Sequence, residues 1–307
     1  MASPPRLAGI ELGGTKCIAV LANGSEIVDE AIFPTRHPQS TLGVLNAKLL
    51  EWNRIAPLEA LGIASFGPLQ LDAARPNFGS MLTTPKAGWS GASIAPRLRE
   101  GLDCPCRIDT DVNGAALAET LWGAGQNCDI VCYLTIGTGV GGGLVIGGQC
   151  VHGAMHPEVG HVRLRRSAGD EFAGSCPFHS DCIEGLVSGP ALAARFGTPA
   201  QQIGNDDHRW SHVASDLAEL FGVLLLTASP NRILLGGSVA LERQSVIDAA
   251  RSILVERYGS YLPYLSLVNA QQIIRLAGLG DRAGPLGSVA LASLAAGADQ
   301  VEPGQHR

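Results

Sequence analysis

Positive charge is in short supply in this sequence. Its 307 residues include 22 Lys and Arg against 28 Asp and Glu, a formal net charge of −6. That balance argues against a basic groove for nucleic acid or a basic face for anionic lipid, so neither partner is expected. Long hydrophobic runs are also missing. The longest, such as 220–228, are too short to cross a bilayer. Residues 1–12 lack the basic segment and apolar stretch of a secretory signal. The eight cysteines are unevenly scattered, which does not suit a disulfide framework and leaves metal binding or plain burial. A soluble, cytoplasmic protein is expected. No G-x-x-x-x-G-K-[S/T] occurs, which excludes a P-loop, and no V-A-I-K, H-R-D or D-F-G occurs, which excludes a protein kinase.

What is present is a hydrophobic fraction of 46% with 16% charged residues, enough to build a compact core. The 39 glycines cluster in short groups between apolar runs, a pattern that suits strand-and-turn elements of an α/β protein. Strands are predicted at 7–12, 17–21 and 26–32 as a meander, then at 60–64, 106–109, 129–136, 144–146 and 232–235. Helices are predicted at 41–53, 112–122, 211–229 and 287–296, with loop-rich stretches at 65–92 and 163–181 and a frayed tail from Asp299. Two lobes are expected, 1–115 and 116–307, with helix 287–296 able to return to the first.

Strand, glycine turn, strand occurs twice. Gly13-Gly14-Thr15-Lys16 separates the first pair and the run 137–143 the second. Backbone N–H groups aimed at a phosphate chain need a close main-chain approach that a Cβ would block, so glycine turns suit nucleotide phosphates. Each turn alone is also an ordinary hairpin connection. Gly137, Gly139 and Gly142 satisfy G-x-G-x-x-G, but the loop runs into the β-like Leu144-Val145-Ile146 and not into a helix, so a dinucleotide fingerprint is not indicated.

Gly9-Ile10-Glu11-Leu12-Gly13-Gly14-Thr15-Lys16 resembles the first phosphate loop of the ROK family of repressors and sugar kinases. Thr135-Ile136-Gly137-Thr138-Gly139-Val140-Gly141 resembles its second. Pro230-Asn231-Arg232-Ile233 with Gly236-Gly237 resembles the segment that holds adenosine in that family. The resemblance implies an actin-like (ribonuclease H-like) fold with a nucleotide cleft between two lobes, MgATP as phosphate donor, and a homodimer. A family repressor carries a helix-turn-helix domain ahead of the first loop, for which the first ten residues leave no room. A sugar kinase is therefore expected.

Phosphoryl transfer to a sugar hydroxyl needs a carboxylate placed to take its proton. Asp111, in Thr110-Asp111-Val112-Asn113, is the candidate base, with Asp109 as rival and a helix N-cap as the ordinary reading of such an Asp. The segment is similar to the family's N-D-x-N, which implies that Asn113 holds a sugar hydroxyl. Glu158-Val159-Gly160-His161 matches the family's E-x-G-H, implying sugar contacts for Glu158 and His161, and Glu184 is implied likewise. Glu11 in place of the more common Asp, and Pro85, Lys86 and Trp89 after a Ser65-Phe66-Gly67-Pro68 turn, resemble the fructokinase subgroup. The resemblance implies phosphorylation of fructose to fructose 6-phosphate. Glucokinase, mannokinase, N-acetylmannosamine kinase and a non-catalytic sugar sensor stay open as alternatives.

Cys176, His179 and Cys182 have C-x2-H-x2-C spacing, and His161 lies fifteen positions before Cys176. Four N/S ligands with no open position suit a structural tetrahedral zinc. Many family members have a third Cys where this chain has His179, and one more residue before the last. A His161 ring bound through one nitrogen would have the other fixed toward the sugar. Mg²⁺, bound largely through nucleotide oxygens and water, leaves little trace in sequence. The other six cysteines are read as inert.

Overall fold

The computed structural model describes residues 6–297, so the frayed tail expected from Asp299 lies outside the described residues. The chain forms two compact units. One comprises 6–121, 152–156 and 281–297, the other 122–151 and 157–280.

The first unit opens with β1 (Arg6–Leu12), β2 (Lys16–Asn23) and β3 (Glu26–Pro34), an antiparallel meander. After α1 (Pro38–Ile55), β4 (Ala60–Ser65) pairs parallel to β1. A long loop and the short α2 (Ile94–Leu98) lead to β5 (Cys106–Thr110), parallel to β4, and then to α3 (Asp111–Trp122). The sheet order is β3-β2-β1-β4-β5. Period-two alternation splits β1 between two faces. Ala8, Ile10 and Leu12 pack with Leu42, Leu45, Leu49 and Trp52 of α1. Gly9 and Glu11 therefore point to the opposite face.

The second unit repeats the device. β6 (Ile130–Ile136) and β7 (Val140–Ile146) form a hairpin, extended by the two-residue β8 (Gln149–Cys150). The helices α4 (Ile183–Val187), α5 (Gly189–Phe196) and α6 (Trp210–Thr227) precede β9 (Arg232–Gly236), which joins β6 in parallel. Then come α7 (Ser238–Glu242), α8 (Gln244–Tyr258), α9 (Leu267–Ile273) and β10 (Ile274–Leu276), for an order β10-β9-β6-β7-β8. The second glycine run differs from the expected seven-residue loop. Only Gly137-Thr138-Gly139 forms the turn, while Gly141, Gly142 and Gly143 pair with Thr135, Leu134 and Tyr133 inside β7. A Cβ on Gly142 would meet Val159 at 2.7 Å, so packing explains that glycine.

The last helix, α10 (Ala283–Ala296), belongs to the first unit and starts four residues earlier than its sequence indicates. It covers the face carrying Gly9 and Gly62. A Cβ on Gly62 would lie 1.9 Å from the Ser288 carbonyl oxygen, so glycine lets α10 approach β4 this closely. No helix among the described residues is long and apolar enough to cross a membrane.

Candidate active site

The candidate residues fall into two groups, one in each unit. In the first, β1 and β2 end at a tight turn that exposes Gly14, Thr15 and Lys16. The Gly13 N–H donates to the Lys16 carbonyl at 3.1 Å and so closes the turn. A Cβ on Gly13 would strike that carbonyl at 2.7 Å, whereas one on Gly14 would meet nothing within 4 Å. Packing therefore explains Gly13 and not Gly14, whose missing side chain leaves its backbone open to a ligand. The Lys86 ammonium donates to the Gly14 carbonyl oxygen, bringing the 83–89 loop to this turn. Pro85 is exposed on that loop. Trp89 is fully buried, packs edge-on against Phe66 at 5.1 Å, and donates from Nε1 to the Arg36 carbonyl at 2.9 Å. It has no accessible face, so what it gives the site is the position of the loop.

At the end of β5 the chain turns directly into α3. The Thr110 hydroxyl, and not Asp111, accepts the Asn113 N–H at 3.2 Å and caps the helix. Asp111 instead occupies the first helical position, half-buried, with Oδ1 accepting the adjacent Val112 N–H at 2.9 Å. Burial pushes its carboxyl above the ordinary aspartate range, opposed by backbone hydrogen bonds. Asp109 is fully buried and accepts from the Thr110 N–H at 2.8 Å and Asn113 Nδ2 at 2.7 Å. It is thereby committed to holding Asn113. Glu11 points from β1 toward the start of α10, where a Cβ on Gly284 would collide with its carboxyl. Burial first, and the Asp111 charge second, push Glu11 up to about 7, with Lys16 opposing.

In the second unit the Gly137 N–H donates to the Gly139 carbonyl at 2.9 Å, and Thr138 is exposed at the tip. Glu184 braces this turn. Its Oε2 accepts the Val140 N–H at 3.1 Å and fills the space a Cβ on Gly139 would need. Thr135 pairs with Gly236 across β6 and β9. Gly236 lies under the Tyr133 hydroxyl, and Gly237 adopts φ +83° against the Ile136 carbonyl, so both have packing or backbone reasons to be glycine. Asn231 clasps Ile130 in both directions, its N–H donating at 2.8 Å and its Oδ1 accepting at 2.9 Å.

Below the turn, His161, Cys176, His179 and Cys182 place one ligand atom each within 4.8 Å of one another. His161 Nδ1 is 3.8 Å from Cys176 Sγ and 3.6 Å from Cys182 Sγ. Tetrahedral zinc with ordinary Zn–S and Zn–N bonds separates such atoms by roughly 3.6–3.8 Å. The donor set fits a closed zinc site. Nδ1 faces the sulfurs, leaving Nε2 on the far edge of the ring. Glu158 is exposed just before His161 and its carbonyl accepts the His161 N–H at 3.0 Å. The surrounding loop is tied to α5 and α6 by buried ion pairs, with Arg195 Nη2 at 3.1 Å from Asp170 and 2.9 Å from Asp216. Of the other cysteines, Cys17, Cys132 and Cys150 are buried and Cys104, Cys106 and Cys128 half-buried.

Two residues of the first unit have no counterpart in the sequence reading. His156 is buried and its Nε2 accepts the Leu69 N–H at 3.1 Å. His152 Nε2 lies 2.9 Å from Asp109 Oδ2. The available signal was a pair of histidines four apart, immediately ahead of Glu158.

The ROK family model matches residues 7–295. The chain is 38% identical over 293 residues to the fructokinase of Zymomonas mobilis, covering 92% of this chain and 95% of that protein. It is 34% identical over 291 residues to the fructokinase of Pediococcus pentosaceus, covering 94% and 98%. The ROK hexokinase of Thermus thermophilus superposes with a TM-score of 0.73 at 28% identity, over 94% of this chain and 98% of that one.

Proposed function

The chain belongs to the ROK family, and from that premise we propose that it is an ATP-dependent kinase phosphorylating D-fructose to fructose 6-phosphate. The observation that carries the mechanism is the start of α3. There Thr110 does the capping, and the Asp111 carboxyl, with its pKa raised by burial, is left to accept a proton. Asp111 takes the proton of the primary sugar hydroxyl as that oxygen attacks the γ-phosphorus in line. Asn113, Glu158, His161 and Glu184 hold sugar hydroxyls, and Pro85 and Lys86 border the sugar. Groups that pair with several hydroxyls discriminate sharply, because an analogue lacking one leaves them unsatisfied.

The exposed tips at Gly14-Thr15 and at Thr138 are the phosphate-binding elements, with Gly13, Lys16, Thr135, Gly137 and Gly139 shaping them and Gly236-Gly237 lying toward the adenosine. Mg²⁺ enters with ATP and neutralises phosphate charge. His161, Cys176, His179 and Cys182 would hold zinc, which would supply structure by fixing the His161 ring so that Nε2 serves the sugar. Fructose as the substrate is supported by fructokinase-named relatives along nearly the whole chain. A cytoplasmic homodimer completes the reading.

The test is product identity. A phosphoglucose isomerase-coupled assay of purified protein with MgATP and fructose should report fructose 6-phosphate. Formation of the 1-phosphate, which the isomerase does not accept, would refute the regiochemistry.

A further inference from the structure

The segment 152–156 leaves the second half of the chain to join the first unit. His156 pins it there through the Leu69 N–H, next to the Gly67-Pro68 turn. Four residues earlier, His152 is laid against the polar start of α3. Its Nε2 is 2.9 Å from Asp109 Oδ2 and 3.5 Å from Asn113 Nδ2. Asp109 Oδ2 is wholly buried and receives no aligned hydrogen bond, although the imidazole lies within ion-pair range. Two lone pairs would repel at that separation, so the proton belongs on Nε2. The ring therefore presents Nδ1 at its other edge, and about a third of its side chain is accessible. A buried carboxylate, two residues before the base, thus holds the Asn113 amide on one oxygen and has the imidazole 2.9 Å from the other, which sets the two side chains next to each other.

We propose that His152 is a sugar-contacting residue that sets hexose affinity through Nδ1, and that Asp109 is the positioning residue for both His152 and Asn113. This rests on the kinase reading above and deepens it. A hydroxyl donates as well as accepts, so the accessible imidazole Nδ1, set beside the buried Asn113 amide, recognises a hydroxyl that a deoxy analogue lacks. Asn and Gln replacements separate the two edges of the ring. The Asn amide sits near the position of Nδ1, and the longer Gln amide reaches toward Nε2 and Asp109.

The experiment measures kcat and KM for fructose and for MgATP, together with calorimetric fructose binding, in wild type, His152→Ala, His152→Asn, His152→Gln and Asp109→Asn. His152→Ala should raise fructose KM and Kd roughly tenfold, the loss of one good hydrogen bond. Its kcat should stay within about threefold and its MgATP KM should not move. His152→Asn should recover more affinity than His152→Gln, and Asp109→Asn should weaken fructose without weakening MgATP. Should Asp109→Asn fail to fold, the three His152 variants decide alone. Unchanged fructose KM and Kd in a folded, active His152→Ala protein would overturn the proposal while leaving the kinase reading intact. Wild-type protein that binds fructose without turnover would refute the kinase reading, and His152 would then stand or fall on the binding data. A wild type that binds no hexose would refute both.

Discussion

Thr110 caps the helix that Asp111 begins. The Thr110 hydroxyl accepts the Asn113 N–H at 3.2 Å, so the neighbouring carboxylate commits only Oδ1, to the Val112 N–H, and keeps Oδ2 for other work. An N-terminal helix position favours the ionised carboxyl, while burial favours the neutral one. The outcome is a carboxyl raised above the usual aspartate value by burial, and so a stronger base than an ordinary aspartate.

From this follows the first prediction. Asp111→Asn should lower kcat by about 10²–10⁴, the range for a lost general base, with fructose and ATP still bound. In wild type kcat/KM should fall on the acid side at a pH above the ordinary aspartate range, since protonated Asp111 cannot accept the hydroxyl proton. Near-normal turnover by Asp111→Asn would transfer the base role elsewhere.

The two glycines of the first turn should behave differently. Gly14→Ala should fold with wild-type stability, because its Cβ meets nothing within 4 Å, yet raise the KM for MgATP. Gly13→Ala should destabilise, because its Cβ would lie 2.7 Å from the Lys16 carbonyl oxygen. Thermal melts and MgATP kinetics on the two variants check the contrast. Equal stability losses would contradict it.

Zinc should be measurable at one ion per chain. The loop around Cys176–Cys182 has little regular structure of its own, so metal binding contributes directly to its order. Chelation, or Cys176→Ser with Cys182→Ser, should remove the ion, lower Tm and raise fructose KM through His161. Metal analysis of purified protein below one ion in ten chains, with Tm indifferent to chelator, would contradict the site.

Glu11 gives a pH-dependent stability. Burial raises its folded pKa to about 7 from the ordinary glutamate value of 4.5, so the folded state keeps a proton that the unfolded state releases. Its contribution is full below about 4.5 and is lost as pH rises through 7. Glu11→Gln removes that loss and should stabilise the protein at pH 8 more than at pH 5.5, by on the order of 2 kcal/mol given partial exposure. Denaturant melts at the two pH values check it, and an equal gap at both would contradict the assignment.

Much of this architecture was legible in the chain. The apolar segment 7–12 and the Gly-Gly pairs marked the hairpins, because turn chemistry is local. The second glycine run misled, since seven glycine-rich residues read as loop when three of the glycines line a strand that packs under Val159. The first turn of α10 was hidden because glycine and proline are poor helix formers in isolation. The predicted helix began at Gly287 and left out Gly284 and Pro285, yet Gly284 makes room for Glu11 and Gly287 for the backbone of α3 at Gly114. The spacing that unites His161, Cys176, His179 and Cys182 was visible because three of the ligands lie within seven residues. His152 was not, because its partner Asp109 is 43 positions away in the sequence and only the fold brings them together. Likewise nothing local says that Trp89 is buried; that follows from Phe66 and Arg36.

The most direct test of the central claim is ADP release by the purified protein with MgATP and, separately, fructose, glucose, mannose and N-acetylmannosamine. The account predicts turnover with the highest kcat/KM for fructose, abolished by Asp111→Asn. No sugar-dependent ADP release from folded, zinc-loaded protein would contradict it.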